Sequence, residues 1–132
     1  QLLVEVGGQQ LDLQQVNELE VSAGRVSFRL QLKKPSVSRL LQNYPNPFNP
    51  ETWIPYQISR ASQVKVSIYN QRGNLVRHLD LGLKSAGYYI SRHQALYWDG
   101  RNNRGEAISS GVYFYHLLAG QQSEIKKMIV VR

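Results

Sequence analysis

The chain has 132 residues, no cysteine and a formal net charge of +7, so its length suits one ordinary domain plus a fragment, and disulfide frameworks and thiolate metal sites are excluded. An apolar content of 42% is enough for a packed core and argues against disorder, while no apolar run approaches the roughly 20 residues of a bilayer-spanning helix. Residues 1–34 balance four Lys/Arg against four Asp/Glu, whereas residues 35–132 set twelve against five and carry the whole +7. Such a basic segment suits acidic partners, and is equally the solvated surface of a soluble module.

In chain order, Leu2 to Val6 alternate loosely and meet the turn signal Gly7-Gly8. Leu11-Asp12-Leu13 alternates briefly, and Val16 to Val21 reads as a strand, although Leu13, Val16 and Glu20 also fit a helical spacing. Ser22 to Arg25 reads as a hairpin turn, after which Val26, Phe28, Leu30 and Leu32 share one strand face. Three short strands cannot bury a core alone. Residues 1–34 are therefore expected to be the terminal strands of a preceding β domain, in a chain that is a piece of something larger. The alternative is a strand-exchange segment that adds to another subunit's open sheet edge and builds a homopolymer, which would make the chain a structural subunit of a surface filament or scaffold. Residues 35–42 read as a linker, with Leu40 and Leu41 anchoring its far end.

The stretch Asn43-Tyr44-Pro45-Asn46-Pro47-Phe48-Asn49-Pro50 follows. Its three prolines remove three backbone donors, so neither helix nor central strand runs through it. Asn46 and Asn49 suit Asx-type turns, and Phe48 is expected to plug into the domain that follows. Thr52 to Ile58 reads as a strand that Pro55 confines to an edge or a bulge. Gln63 to Tyr69 and Leu75 to Leu81 form the arms of a hairpin around the turn Asn70–Asn74. Tyr88 to Ile90 and Ala95 to Trp98 are strand pieces split by the polar kink Ser91-Arg92-His93-Gln94, and Asp99 to Gly105 is a polar turn. Gly111 to Leu118 and Glu124 to Val131 are the last strands. Short strands at intervals of roughly ten residues predict an all-β, Ig-like antiparallel β-sandwich over residues 43–132, preceded by a β segment and a Pro-rich linker.

Reactive chemistry finds little support. His78, His93 and His116 stand 15 and 23 residues apart, which matches no metal motif, and no cofactor is expected. Oxygens at Asp99, Asn102, Asn103 and Glu106 are arranged like a calcium loop, but Arg101 and Arg104 oppose it, and the residues read better as turn formers with Gly100 and Gly105. No Gly-x-Ser-x-Gly and no phosphate loop is present, so the chain is not expected to be an enzyme. Basic residues are scattered over every turn, which disfavours nucleic acid. Trp53, Tyr88, Tyr89, Tyr97, Tyr113 and Tyr115 leave a carbohydrate-binding module open as an alternative, with Trp98 assigned to the core.

Four blocks carry a resemblance. Leu40 to Thr52, including Asn43, Pro45, Asn46, Pro47, Phe48, Asn49 and Pro50, resembles the lead-in motif of type A C-terminal sorting domains of the type IX secretion system. Val66 to Asn70 with Gly73 to Val76 is similar to their first hairpin. Tyr97-Trp98-Asp99-Gly100-Arg101 with Gly105 and Ser110 to Tyr115, which holds Gly111, is similar to their central signature. Lys126 to Val130 resembles their closing strand. All four stand in order over residues 40–132, and the same fold is that of the Ig-like domain of the flagellar hook-capping protein. The chain departs from the pattern at Glu51-Thr52-Trp53, where small Ser/Thr residues are usual, and in the extra piece Ser91–Gln94. The resemblance implies a non-catalytic module of a secreted or outer-membrane-associated bacterial protein. Its implied partners are the secretion translocon and shuttle proteins, together with an anionic lipopolysaccharide. Lys126, Lys127 and Arg132 at the closing strand, and Arg101 and Arg104 in the polar turn, are the expected docking residues.

Overall fold

A computed structural model describes residues 34–132 in full and, within residues 1–33, the backbone of four strands. These are β1 (Leu3–Val6), β2 (Gln9–Asp12), β3 (Asn17–Ala23) and β4 (Val26–Leu32). β1 pairs antiparallel with β2, placing Leu3 opposite Asp12, and β3 pairs with β4, placing Asn17 opposite Leu32. The ambiguous segment is thus strand from Asn17 on, and Leu11-Asp12 belongs to β2, so that four strands stand where three were expected. The side chains of residues 1–33, and with them the expected exchange role, lie outside the described residues.

The domain proper is all-β. In chain order it has β5 (Arg39–Leu40), β6 (Thr52–Ile54), β7 (Tyr56–Ile58), β8 (Ser62–Asn70), β9 (Leu75–Lys84), β10 (Gly87–Tyr89), β11 (Leu96–Trp98), β12 (Gly111–Ala119) and β13 (Gln122–Val130). One layer is a four-stranded antiparallel sheet in the order β13-β12-β8-β9. The other is built from β10-β7-β5 and β11-β6. Alternation decides what each strand buries. Val64, Val66 and Ile68 of β8 are fully buried while Lys65 between them is exposed, and Ile54, Tyr56 and Ile58 supply the facing side of the core. Trp98, Phe48, Leu40, Met128 and Val130 complete it.

Three expectations change. The segment 35–42 is not only a linker: it contains β5, Leu40 pairs with Tyr56 and is 1% exposed, and its N–H donates to Glu124 Oε1 at 2.6 Å. A buried leucine with a paired backbone makes residues 39–40 part of the domain. Second, Thr52 to Ile58 is two strands, because Pro55 has no N–H to continue a ladder. β6 pairs with β11 and β7 with β10 and β5, and the Pro55 carbonyl accepts the Leu41 N–H at 3.0 Å. Third, Tyr113 and Tyr115 form the buried face of β12, whereas Phe114 and Leu118 point outward, 37% and 39% exposed. The tyrosines go inside because their hydroxyls find acceptors there: Tyr113 donates to the Ser109 carbonyl at 2.9 Å and Tyr115 to the Leu41 carbonyl at 2.8 Å. They leave any carbohydrate platform for that reason.

Candidate recognition surface

The lead-in stretch is built into the domain from end to end. Asn43 is 2% exposed; its N–H donates to Tyr115 Oη at 2.9 Å and its Nδ2 to Thr52 Oγ1 at 3.0 Å and the Pro45 carbonyl at 3.3 Å. Burial pushes the Tyr115 phenol up to about 12, with the Asn43 N–H pulling the other way. Tyr44 exchanges backbone hydrogen bonds with Trp53, 2.9 and 2.8 Å. The peptide bonds before Pro45, Pro47 and Pro50 are cis, and Pro45, Pro47, Asn49 and Pro50 are exposed. Asn46 Oδ1 accepts the Ile129 N–H at 2.9 Å, where a local Asx turn was expected. Phe48 lies against β13 in parallel, its N–H donating to the Ile129 carbonyl and its carbonyl accepting the Val131 N–H, both at 3.0 Å. Its ring is 2% exposed and sits 5.5 Å from that of Trp98, as the expected plug.

The turn after β11 meets this stretch. Trp98 is 1% exposed and donates its Nε1–H to the Arg101 carbonyl at 3.0 Å. Gly100 has φ +71°, and a Cβ there would stand 2.3 Å from the Pro50 carbonyl oxygen, so only glycine allows the two segments this approach. Asp99 Oδ1 accepts the Arg101 N–H at 3.1 Å, and Asn102 Oδ1 accepts those of Arg104 and Glu106, both at 2.9 Å. Asn103 Oδ1 is taken by the His78 N–H at 2.9 Å. These oxygens close turns and cap β9, and among the described residues no three His, Cys, Asp or Glu side chains gather into a possible metal site. Gly111 opens β12 opposite Val130. His78 Nδ1 lies 3.1 Å from Ser67 Oγ, His116 is half-buried opposite Ser67 and Ile125, and His93 is exposed in the Ser91 turn.

The five basic residues singled out from the sequence do not form one patch. Lys127 is exposed on the outer face opposite Phe114, while Lys126 lies opposite Tyr115 on the other side of β13 and is half-buried. Arg101 and Arg104 are exposed in the polar turn; Arg101 donates to the Gly105 carbonyl at 2.8 Å, and Arg104 stands 4.0 Å from Glu106. The Arg132 guanidinium donates to the carbonyls of Gly100, at 2.8 Å, and Ile108, and its N–H to Ser110 Oγ at 2.8 Å. It fastens the chain's last described residue to the turn that touches Pro50.

Sequence reasoning named Trp53 and Tyr97 for a carbohydrate surface but missed the row that they form with Tyr44 on the outside of the second layer. Tyr44, Trp53 and Tyr97 lie side by side across neighbouring strands, with ring centroids 6.4 and 5.5 Å apart. The Arg92 guanidinium carbon sits 4.3 Å above the Trp53 ring, and the Tyr97 hydroxyl donates to Glu51 Oε2 at 2.6 Å. That hydrogen bond, ahead of the Glu51 charge, raises the Tyr97 phenol above its ordinary range. The cross-strand register that aligns these rings was not readable while Thr52 to Ile58 passed for one strand.

The family model of the FlgD Ig-like domain matches residues 49–123. Among solved structures, dimeric latent PorU from Porphyromonas gingivalis is similar over 80% of this chain and 11% of its own, at 23% identity and a TM-score of 0.56. FlgD from P. aeruginosa is similar over 55% of this chain and 54% of its own, at 22% identity and a TM-score of 0.43. PorZ, an essential bacterial surface component of the type-IX secretion system of P. gingivalis, is similar over 90% of this chain and 16% of its own, at 17% identity and a TM-score of 0.49. The chain therefore spans only a small part of PorU and PorZ and about half of FlgD, and its likeness to PorU is one of fold. None of the curated proteins matches. The matched segment takes in more than half of the chain, from the end of the proline stretch into β13, and the chain belongs to the FlgD Ig-like domain family.

Proposed function

We propose that this chain is a non-catalytic sorting and anchoring module of a secreted or cell-surface bacterial protein, read as a folded object by the translocon and shuttle proteins of the type IX route. The carrying observation is that three of the four blocks of the resemblance meet at one joint. The lead-in stretch lies along the closing strand through Phe48 and Asn46, and Pro50 is seated on the turn of the central signature at Gly100. A signal assembled this way exists only in the folded domain. Its accessible basic groups are Lys127, Arg101 and Arg104, which suit an acidic face of a partner or an anionic lipopolysaccharide surface.

The test is a reporter carrying this chain at its C-terminus, expressed in a bacterium that has the secretion system. The reporter is expected at the cell surface or in the medium. Replacing Arg101, Arg104 and Lys127 together by Glu is expected to retain it inside without lowering the melting temperature. Retention of the unaltered fusion overturns the proposal, and export of the triple variant at the unaltered level removes these three residues from it.

A further inference from the structure

The two outer faces of the domain differ in kind. On the four-stranded sheet the outward side chains mix the apolar Leu75, Phe114, Leu118 and Ile125 with Lys65 and Lys127. On the other layer they are the aromatic row Tyr44, Trp53 and Tyr97, with Tyr97 47% exposed and Arg92 over the middle ring. Four residues along the same strand path, about 13 Å at strand rise, a second outward row runs Arg39–Gln57–Tyr88. Two guanidinium groups thus flank this face, and the two carboxylates near Tyr97 are both taken: Glu51 accepts the Tyr97 hydroxyl, and Asp99 is held by the Arg77 guanidinium and the Arg101 N–H.

We propose that this face binds an acidic polysaccharide, a uronate-bearing chain laid across Tyr44, Trp53 and Tyr97 with its carboxylates met by Arg92 and Arg39. A pyranose ring presents C–H groups on one side, which pack on an aromatic face, and hydroxyls at its rim, which can donate to the Tyr44 and Tyr97 phenol oxygens, whose own protons go to the Ile90 carbonyl and Glu51, and to the Gln57 amide oxygen, whose Nε2 is held by the Val37 carbonyl. Charge decides between neutral and acidic sugars. A guanidinium resting on an indole gains a modest cation–π attraction. A carboxylate offers it a bidentate, charge-assisted pair instead. As the sugar ring takes the Trp53 face, Arg92 moves from the indole to the uronate, so one exchange satisfies both groups. The second row, a few residues further on, suits a polymer over a single sugar. The site shares no residue with Lys127, Arg101 or Arg104, so variants at the two places are read separately.

Tryptophan fluorescence reads it directly, because Trp98 is 1% exposed in the core and Trp53 is the half-buried indole on the surface. The chain is titrated with polygalacturonate, with dextran as a neutral polymer and with poly-L-glutamate as charge without sugar. A saturable change with polygalacturonate is expected, at an affinity about tenfold or more above that for the other two. Tyr97→Ala, at an exposed position, is expected to weaken it by about tenfold as a stacking face is lost. Arg92→Gln is expected to bring polygalacturonate down to the level of dextran. Both variants are checked for an unchanged circular-dichroism spectrum. The proposal is overturned by an unresponsive Trp53, by poly-L-glutamate or dextran binding as tightly as polygalacturonate, or by folded variants that bind like the unaltered chain.

Discussion

The four-stranded sheet has two edges, and they are closed by different means. The β13 edge is covered by a remote piece of the chain. Leu40, Gln42, Asn46 and Phe48 take its outward groups in turn, through Glu124 Oε1, the Lys127 carbonyl, the Ile129 N–H and the Ile129 carbonyl, and Phe48 also accepts the Val131 N–H. The β9 edge is covered locally. Asn103 donates its N–H to the Val76 carbonyl and accepts the His78 N–H, Asp80 Oδ1 accepts the Gly82 N–H two residues on, and two register shifts against β8 twist the strand. Both arrangements remove a row of unpaired groups that would otherwise template aggregation. The first also ties the lead-in stretch to the domain, so its loss should cost more than loss of the second.

The largest expected effect is at the plug. Phe48 is 2% exposed and packs on Trp98. Phe48→Ala should lower stability by about 3–5 kcal/mol, the usual range for deleting a buried ring. It should also raise the hydrogen-exchange rates of the Ile129 and Val131 amides more than those of β9. Equal acceleration of β9 would mean that the two edges fail as one unit. Gly100→Ala comes next. A methyl group at φ +71° carries about 1–2 kcal/mol of backbone strain, and here it also meets the Pro50 carbonyl oxygen at 2.3 Å. Together with overpacking the loss should be about 2–4 kcal/mol in chemical denaturation. A variant as stable as the unaltered protein would show that Pro50 is not pressed on this turn.

Two fully buried tyrosines sharpen the same contrast. Tyr115 holds the Leu41 carbonyl and the Asn43 N–H, whereas the Tyr56 hydroxyl has no partner among the described residues, its ring stacked on Tyr89 with centroids 4.8 Å apart. Tyr115→Phe leaves two buried backbone groups unpaired and should cost about 1–3 kcal/mol; Tyr56→Phe removes an orphan and should be neutral or stabilising. Alkali tests this independently. Burial holds the Tyr115 proton to about 12, against 10.0 for an ordinary phenol, so the folded state binds that proton more tightly than the unfolded chain. The contribution is complete below pH 10 and is lost as pH rises toward 12. Burial, and secondarily Tyr89, raise Tyr56 as well. Melting temperatures should therefore fall steeply from pH 10 upward, and less steeply in Tyr115→Phe; a parallel fall in both proteins would overturn the assignment.

Most of the fold was legible because period-two alternation is a local signal: β8, β12 and β13 could be read from their own residues. The plug in the proline stretch was legible for a similar reason, since Phe48 is its one large apolar group among exposed prolines and asparagines. What alternation leaves open is which side of a strand faces in. Val112 and Phe114 looked as fit for the core as Tyr113 and Tyr115 until Leu41 and Ser109 were found holding the phenols. The joint at Gly100 and the aromatic row depend on residues tens of positions apart. Even so, Trp53 and Arg92 stood out singly as departures from the resembled pattern, and they meet in space.

The smallest effect belongs to the local closure. As a residue of a polar turn, Asn103 read as a turn former or a calcium-loop oxygen and not as a cover for β9, because its partner His78 lies 25 residues upstream. Asn103→Ala keeps its own N–H bond to Val76 and removes one exposed hydrogen bond to His78. The expected cost is about 1 kcal/mol or less, too small to unfold the domain but enough to free the His78 amide at the sheet's edge. Hydrogen exchange should quicken at His78 while Ile129 and Val131 stay protected. If the β13 amides quicken too, the two edges are coupled through the core, and the contrast between a remote and a local closure does not hold. If only His78 responds, β9 is the edge through which this domain opens first, and any strand that adds to the sheet enters there.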